Sequence, residues 1–206
     1  MKIKILSMLR LYTPSLSWFV VVLSLCLVQQ VYSIRFLFWS IPAALYLIPA
    51  YYLRRLPMPP KSADILLGVL GCVFFVLPFV LIKVVVLKGS FAFPLIAGAA
   101  FPLIAGAAAP PLVYILTLLM VNALPEELFF RGYLQESLGN GPSSVVIVSV
   151  LFALCHSGRF LISGDVTPLL TFFPSLMMGW LYLKTSNILP STLFHLVANL
   201  AFTSIR

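Results

Sequence analysis

The sequence predicts an all-α integral membrane protein, a polytopic bundle of about eight transmembrane helices. Hydrophobic residues occupy 62% of its 206 positions and charged residues only 9%, and its mean hydropathy is +1.11. A water-soluble domain needs a more polar surface than this composition supplies. The apolar residues also fall into separate runs near the ~20 residues that cross a bilayer. We therefore assign residues 1–206 to a single integral membrane domain.

Three apolar runs account for the N-terminal part of the chain, residues 1–90. They extend from about Leu16 to Val31, from Phe36 to Tyr52 and from Ile65 to Leu87. The basic residues ahead of the first run also resemble a secretory signal, but a second run follows almost at once, which favours a retained first helix.

Basic residues predict the orientation of these helices. Arg54, Arg55 and Lys61 crowd the second loop, whereas Arg35 is alone in the first. The positive-inside rule then puts the N-terminus in the cytoplasm. The net charge of +8 comes from Lys and Arg residues scattered between apolar runs. Because they form no cluster with interleaved aromatic residues, nucleic acid is not an expected partner.

A tandem octapeptide, FPLIAGAA, occupies residues 93–100 and again 101–108. Eight residues are too few for a solenoid unit, so a local duplication is the simplest interpretation. Pro94 and Pro102 would kink a helix formed here. If residues 93–109 span the membrane, the bundle has eight helices, and otherwise it has seven.

Four more apolar runs complete the bundle: about Leu112 to Tyr133, Ser144 to Cys155, Pro168 to Leu183 and Ile188 to Phe202. Polar connectors, such as residues 139–142, fit turns at the bilayer surface. The three cysteines, Cys26, Cys72 and Cys155, lie in apolar runs and are interpreted as small buried hydrophobic residues.

The first of these runs contains two glutamates and an arginine. Ionisable residues at bilayer depth are costly and are functional candidates for that reason. Pro125 can occupy the first turn of a helix, which would put Glu126 and Glu127 near the positive end of the helix dipole. Glu127 and Arg131 share a face, so an ion pair lowers the cost of burying both. Glu126 points about 100° away and is free to face a cavity.

Both histidines of the chain lie in the other runs, each four residues from a partner. Phe152 precedes His156, and His195 precedes Asn199. A carboxylate and a neutral imidazole can together deprotonate water, and an imidazole with a carboxamide can donate to an oxyanion. Each residue taken singly also fits a structural role as an interhelical hydrogen-bonding group. Their joint occurrence in three runs favours a water-using peptidase.

The three blocks EELFFR, FALCH and HLVAN resemble the EExxxR, FxxxH and HxxxN motifs of the CPBP family, which includes CAAX-type prenyl endopeptidases and bacteriocin-processing or self-immunity proteins of the ABI group. The blocks stand in the family order over about residues 112–202, the expected catalytic core, whereas residues 1–90 share only hydropathy.

The resemblance implies a role for each matching residue. Glu126 matches the catalytic glutamate and His156 its partner in activating water, while His195 and Asn199 match the oxyanion-stabilising pair. Glu127, Arg131 and Phe152 match supporting positions. Zinc is the alternative, with Glu126, His156 and His195 as ligands, but the HExxH pair typical of zinc peptidases is absent. Metal-free glutamate chemistry without a cofactor is therefore expected.

The expected function is that of an intramembrane endopeptidase that cuts a lipidated or membrane-tethered protein or peptide near the membrane surface. The short chain resembles bacterial members, which implies a multi-pass protein of the cytoplasmic membrane. The family also contains immunity proteins, so a non-catalytic partner-binding protein of the same fold stays open. A small transporter would also use buried ionisable residues, but no repeated half with matching polar breaks is present.

Overall fold

The computed structural model describes residues 2–52, 59, 61–86 and 111–204, and within these ranges it contains eight helices and no strand. This confirms the predicted all-α class. The helices are α1 (Lys2–Tyr32), α2 (Arg35–Tyr52), α3 (residues 62–86), α4 (residues 111–135), α5 (Pro142–Cys155), α6 (Gly158–Ser163), α7 (Phe172–Thr185) and α8 (Ile188–Ser204). The octapeptide repeat lies outside the described residues, so the predicted span over it does as well.

The surface of the bundle suits a lipid environment. Three helical segments are long and apolar enough to cross a membrane, namely Ser15–Tyr32, Ser62–Leu81 and Leu112–Gln135. Large apolar side chains on α1, α2 and α3 face outward, and Phe74 is 73% exposed. Exposed apolar area of this extent marks a surface that contacts lipid or other apolar groups. Together with the helical class, it identifies an integral membrane protein.

The helix boundaries differ from the predicted runs in two places. A short helix that the sequence pattern did not predict, α6, follows the end of α5 directly. The predicted run from Pro168 begins instead with a tight 3-10 turn over Thr167–Thr171, and the α-helix starts at Phe172. The eight described helices thus include α6, whereas the predicted eight counted the repeat.

Two of the prolines that lie inside helices, Pro78 and Pro125, follow wide, π-type turns. In α3 the turn Cys72–Val76 precedes Pro78. In α4 the turn Leu118–Ala123 precedes Pro125, and the N–H of Leu124 bonds to the carbonyl of Leu119, five residues back. A proline cannot donate to the carbonyl four residues earlier and its ring crowds that carbonyl. A wider turn relieves this crowding without ending the helix.

The prediction that Pro125 starts a helix is therefore wrong. Ala123, which precedes the segment Leu124–Glu127, has helical dihedral angles, so α4 continues through Pro125. The two glutamates lie in the middle of a long helix rather than at its positive end. Their stabilisation has to come from side-chain partners and not from the helix dipole.

Helix α4 lies at the centre of the bundle and contacts α1, α2, α5, α7 and α8. Its segment from Phe129 to Gln135 is buried without interruption. Helices α5 and α7 pack closely at Gly179, where an added Cβ would lie 2.9 Å from Cγ1 of Val145. Helices α3 and α8 meet at Gly68, where an added Cβ would lie 3.1 Å from the backbone of Pro190. These close contacts fix the helices that surround the polar centre of α4.

Candidate active site

A buried ion pair on α4 anchors the site. Nε of Arg131 lies 3.3 Å from Oε2 of Glu127, and both side chains are completely buried. The pair predicted from the four-residue spacing is thus present. Nη2 of Arg131 also donates to the backbone carbonyl (3.0 Å) and the hydroxyl (2.8 Å) of Ser175 on α7. The guanidinium carbon lies 5.2 Å from the centre of the Phe152 ring on α5, within the range of a cation–π contact.

His195 connects α8 to both glutamates. Its Nδ1 lies 2.9 Å from Oε1 of Glu127, and its Nε2 lies 3.8 Å from Oε2 of Glu126. A carboxylate can only accept a hydrogen bond, so an ionised Glu127 makes Nδ1 the protonated nitrogen of the ring. The sequence pattern had paired His195 with Asn199 alone.

Glu126 lies on the other side of α4 and faces a cavity. Its side chain is 21% exposed, whereas Glu127 is completely buried. Its Oε2 accepts no hydrogen bond from the described residues. The cavity has a volume of about 140 Å³, and its lining comes from α1, α2, α4 and the end of α5: Val22, Cys26, Gln29, Gln30, Ile41, Leu45, Glu126, Phe130, Cys155 and His156.

His156 lies directly after α5 and lines the same cavity as Glu126. Its Nδ1 is 2.9 Å from the carbonyl of Phe152. Because a carbonyl only accepts, Nδ1 carries the proton and Nε2 of a neutral ring is the free acceptor. The Phe152 ring contacts His156 at 4.6 Å between ring centres and His195 at 5.8 Å.

The structure thus brings six of the predicted site residues into one cluster: Glu126, Glu127, Arg131, Phe152, His156 and His195. The seventh, Asn199, lies one helical turn beyond His195 on α8 and is partly buried. Its backbone carbonyl accepts a hydrogen bond from the hydroxyl of Thr203 at 2.8 Å.

Sequence reasoning did not identify the contributions of α1 and α7. Gln29 and Gln30 line the cavity from α1, and Ser175 binds Arg131 from α7. The two adjacent carboxamides at the end of an apolar run were a usable signal, because amides at bilayer depth need partners. A buried serine gives no such signal, since its hydroxyl can bond to its own helix.

Glu126, His156 and His195 are the residues that a zinc ion would need as ligands in the alternative reaction. Within the described ranges, no group of three or more His, Cys, Asp or Glu side chains is arranged to hold a metal. Nδ1 of His156 is bonded to a carbonyl and Nδ1 of His195 to Glu127. Nε2 is therefore the nitrogen of each ring that is left for another partner, and that of His195 lies 3.8 Å from Oε2 of Glu126.

Fold and site together define the class: a helical integral membrane protein in which Glu126 and His156 line a small cavity beside the buried cluster of Glu127, Arg131 and His195. Residues 108–201 match the family described as Type II CAAX prenyl endopeptidase Rce1-like. This part of the chain is thus similar to that family, which confirms the resemblance inferred from the three motifs. The matched range contains the whole of α4 and extends to most of α8, and it includes both glutamates and both histidines.

A relative in Lactococcus lactis subsp. lactis (strain IL1403) is the UPF0177 protein YxdF, which is 38% identical over 87 residues. The matched segment covers 42% of this chain and 45% of that protein, less than half of either. No solved structure matches the chain.

Proposed function

We propose that this protein is an intramembrane endopeptidase in which Glu126 and His156 activate a water molecule. The observation that carries the proposal is their position on one cavity, with a buried network holding α4 and α8 behind them. The match of residues 108–201 to a family of prenyl endopeptidases supports a peptidase. The roles of the individual residues are our proposal.

In the proposed reaction, the water oxygen attacks the carbonyl carbon of the scissile amide while Glu126 takes one of its protons. Nε2 of His156, the free acceptor of that ring, holds the second water hydrogen and orients the attack. The carbonyl π electrons move to oxygen and form an oxyanion. Glu126 then gives its proton to the amide nitrogen, the C–N bond breaks, and an acid and an amine leave.

His195 and Asn199 are proposed to donate hydrogen bonds to that oxyanion. Since Nδ1 of His195 is directed at Glu127, donation from Nε2 requires the doubly protonated ring. Glu127 and Arg131 hold this ring in place rather than touch the substrate. In that state the negative charges of Glu126 and Glu127 are balanced by the positive charges of Arg131 and His195, so the cluster is neutral as a whole.

The cavity wall favours a substrate with an apolar segment. Val22 on α1 and Ile41 and Leu45 on α2 line the same cavity as Glu126. We propose a lipidated or membrane-tethered protein or peptide that is cut near the membrane surface, as the family name suggests for a prenylated tail. The bilayer then concentrates the substrate at the site.

The test compares wild type with Glu126→Gln and His156→Ala. Each is expressed in cells, and membrane peptides are compared by mass spectrometry. Purified protein in proteoliposomes is then assayed on a fluorogenic S-farnesylated peptide and on any peptide recovered from the cells. Both variants should insert and accumulate like wild type but lose roughly 100-fold or more in turnover, because a general base or its partner is gone. Full turnover by both would refute the catalytic assignment.

Metal dependence is tested separately by dialysis of the wild-type protein against a strong chelator. Unchanged activity is expected, since the site donors do not converge on one point. Loss of activity on dialysis with recovery on added zinc would contradict the metal-free reaction.

A second candidate function is that of a non-catalytic immunity or partner-binding protein. The contacts from Glu127 to Arg131 and His195 favour it, because they stabilise the bundle whether or not a substrate is cut. In that case Glu126→Gln would retain the cellular phenotype of the wild type, and no peptide would change with expression.

A further inference from the structure

The end of α1 reaches the turn that carries His156. Nε2 of Gln30 donates to the carbonyl of Cys155 at 2.5 Å. The N–H of Gly158 donates to Oε1 of the same side chain at 2.8 Å. One carboxamide therefore binds the chain on both sides of His156, although α1 lies outside the part of the chain that matches the family.

These bonds satisfy backbone hydrogen-bonding groups that helix ends leave unpaired. The last carbonyls of a helix and the first N–H groups of the next have no partner within their own helix. Cys155 ends α5 and Gly158 begins α6. Gln30 supplies the missing donor to one and the missing acceptor to the other, so the connection between the two helices depends on α1.

Gly158 lets the two segments approach this closely. A Cβ at this position would lie 2.4 Å from Cβ of Gln30 and 2.5 Å from its Oε1, well inside van der Waals contact. Any larger residue therefore has to displace Gln30 or the turn. The close contact between α1 and the turn therefore depends on both residues: Gly158 leaves the space that the carboxamide of Gln30 occupies.

We propose that Gln30 is a positioning residue that fixes the orientation of His156 toward Glu126. His156 lies between the two bound residues, has φ −99° and ψ 1°, and is followed by Ser157, whose hydroxyl bonds back to Leu154. Within the described residues, the hydrogen bonds that another helix makes to the backbone of this turn come from Gln30, and the thiol of Cys26 on the same helix bonds to that of Cys155. The proposal rests on the proposed function, because it assigns His156 a task in the reaction.

A direct test uses the fact that the chain has only two histidines. Protein labelled with carbon-13 at Cε1 of the histidine rings gives two signals by NMR, which are assigned with His156→Ala. Gln30→Met keeps the volume of the side chain but removes both hydrogen bonds. It should shift or broaden the His156 signal and leave that of His195, which Glu127 holds. Gly158→Ala should change the same signal from the other side of the contact.

Activity provides the second readout, on the substrate identified for wild type. Gln30→Met should lower kcat roughly 10- to 100-fold with little change in KM, because misplacing a reacting group by about 1 Å costs on this order. Ser24→Ala is the matched control on α1, since that exposed hydroxyl bonds only to the backbone of its own helix; it should behave as wild type.

The inference is overturned if the His156 signal is unchanged in both Gln30→Met and Gly158→Ala, or if Gln30→Met retains wild-type kcat. It is also overturned if the two histidine signals change together, which would mean a general loss of packing. A wild-type protein that cuts nothing would refute the proposed function instead, and the histidine spectra would still decide whether Gln30 holds His156.

Discussion

Adjacent residues on α4 have different environments. Glu127 contacts Arg131 and His195 and is completely buried, whereas Glu126 faces the cavity. The cause is helical geometry, since successive side chains differ by about 100° around the axis. One glutamate thereby binds its neighbours in the bundle while the other is available to a ligand in the cavity.

Replacing the two glutamates should lower the stability of the protein by different amounts. Glu127→Ala leaves Arg131 buried without its carboxylate, and breaking a buried pair in this way costs about 3–5 kcal/mol. Glu126→Ala removes a partly exposed group whose Oε2 accepts no hydrogen bond from the described residues, and it should cost less than about 1 kcal/mol. Unfolding in detergent, followed by helical circular dichroism, measures both. Equal losses for the two variants would contradict the assignment of a structural role to Glu127.

Sequence spacing predicted contacts within one helix but not those between helices. Glu127 and Arg131 are four residues apart, so their pairing follows from the helical repeat. Glu127 and His195 are 68 residues apart, and no local pattern specifies which helices become neighbours. The resemblance to a family supplied the set of site residues, whereas the partners of each residue came from the packing.

At the scale of helices, glycine positions set how closely the elements of the site approach. Gly179 on α7 faces Val145 on α5, where an added Cβ would be 2.9 Å from a methyl group. Gly132 on α4 has more room, because an added Cβ would be 3.6 Å from Cγ2 of Ile188. The two glycines therefore differ in what they tolerate, although sequence alone presents them alike.

Gly179→Ala should destabilise the protein by about 1–3 kcal/mol, the usual cost of overpacking a close contact with a short, stiff side chain. Gly132→Ala is the matched control and should be neutral or slightly stabilising, since alanine favours a helix by about 1 kcal/mol over glycine. Thermal unfolding in the same detergent distinguishes them. A larger loss for Gly132→Ala than for Gly179→Ala would contradict this packing.

Prolines inside α3 and α4 show why the boundaries of the helices were harder to predict than their existence. The apolar runs were long enough to identify each span, but a proline pattern fits both a helix start and a wide turn within a helix. Neighbouring helices decided between these for Pro125, which is buried. The short helix α6 was missed because its six residues carry no periodic signal.

At the scale of the whole molecule, the cavity joins two parts of the chain. The family match covers residues 108–201, yet α1 and α2 supply much of the lining of the cavity that contains Glu126. The matched part therefore supplies the proposed reacting groups, and the N-terminal helices close the space around them. Substrate preference is expected to depend on these less recognisable helices.

Orientation in the membrane is predicted from the loops, with the N-terminus in the cytoplasm. Alkaline phosphatase fused after Ile34, between α1 and α2, should be active because this loop then faces outward in a bacterial cytoplasmic membrane. A fusion after residue 58, in the loop with Arg54 and Arg55, is the control and should be inactive. The opposite pattern of activities would invert the predicted topology.

The ion pair within α4 also has a consequence for biogenesis. Glu127 and Arg131 lie on one face of the same helix, so they can neutralise each other as soon as that helix forms in the translocon. His195 is 68 residues further along the chain and is synthesised after this helix has had to enter the membrane. The intrahelical pair therefore lowers the insertion cost of α4, and its contact with the last helix completes the assembly.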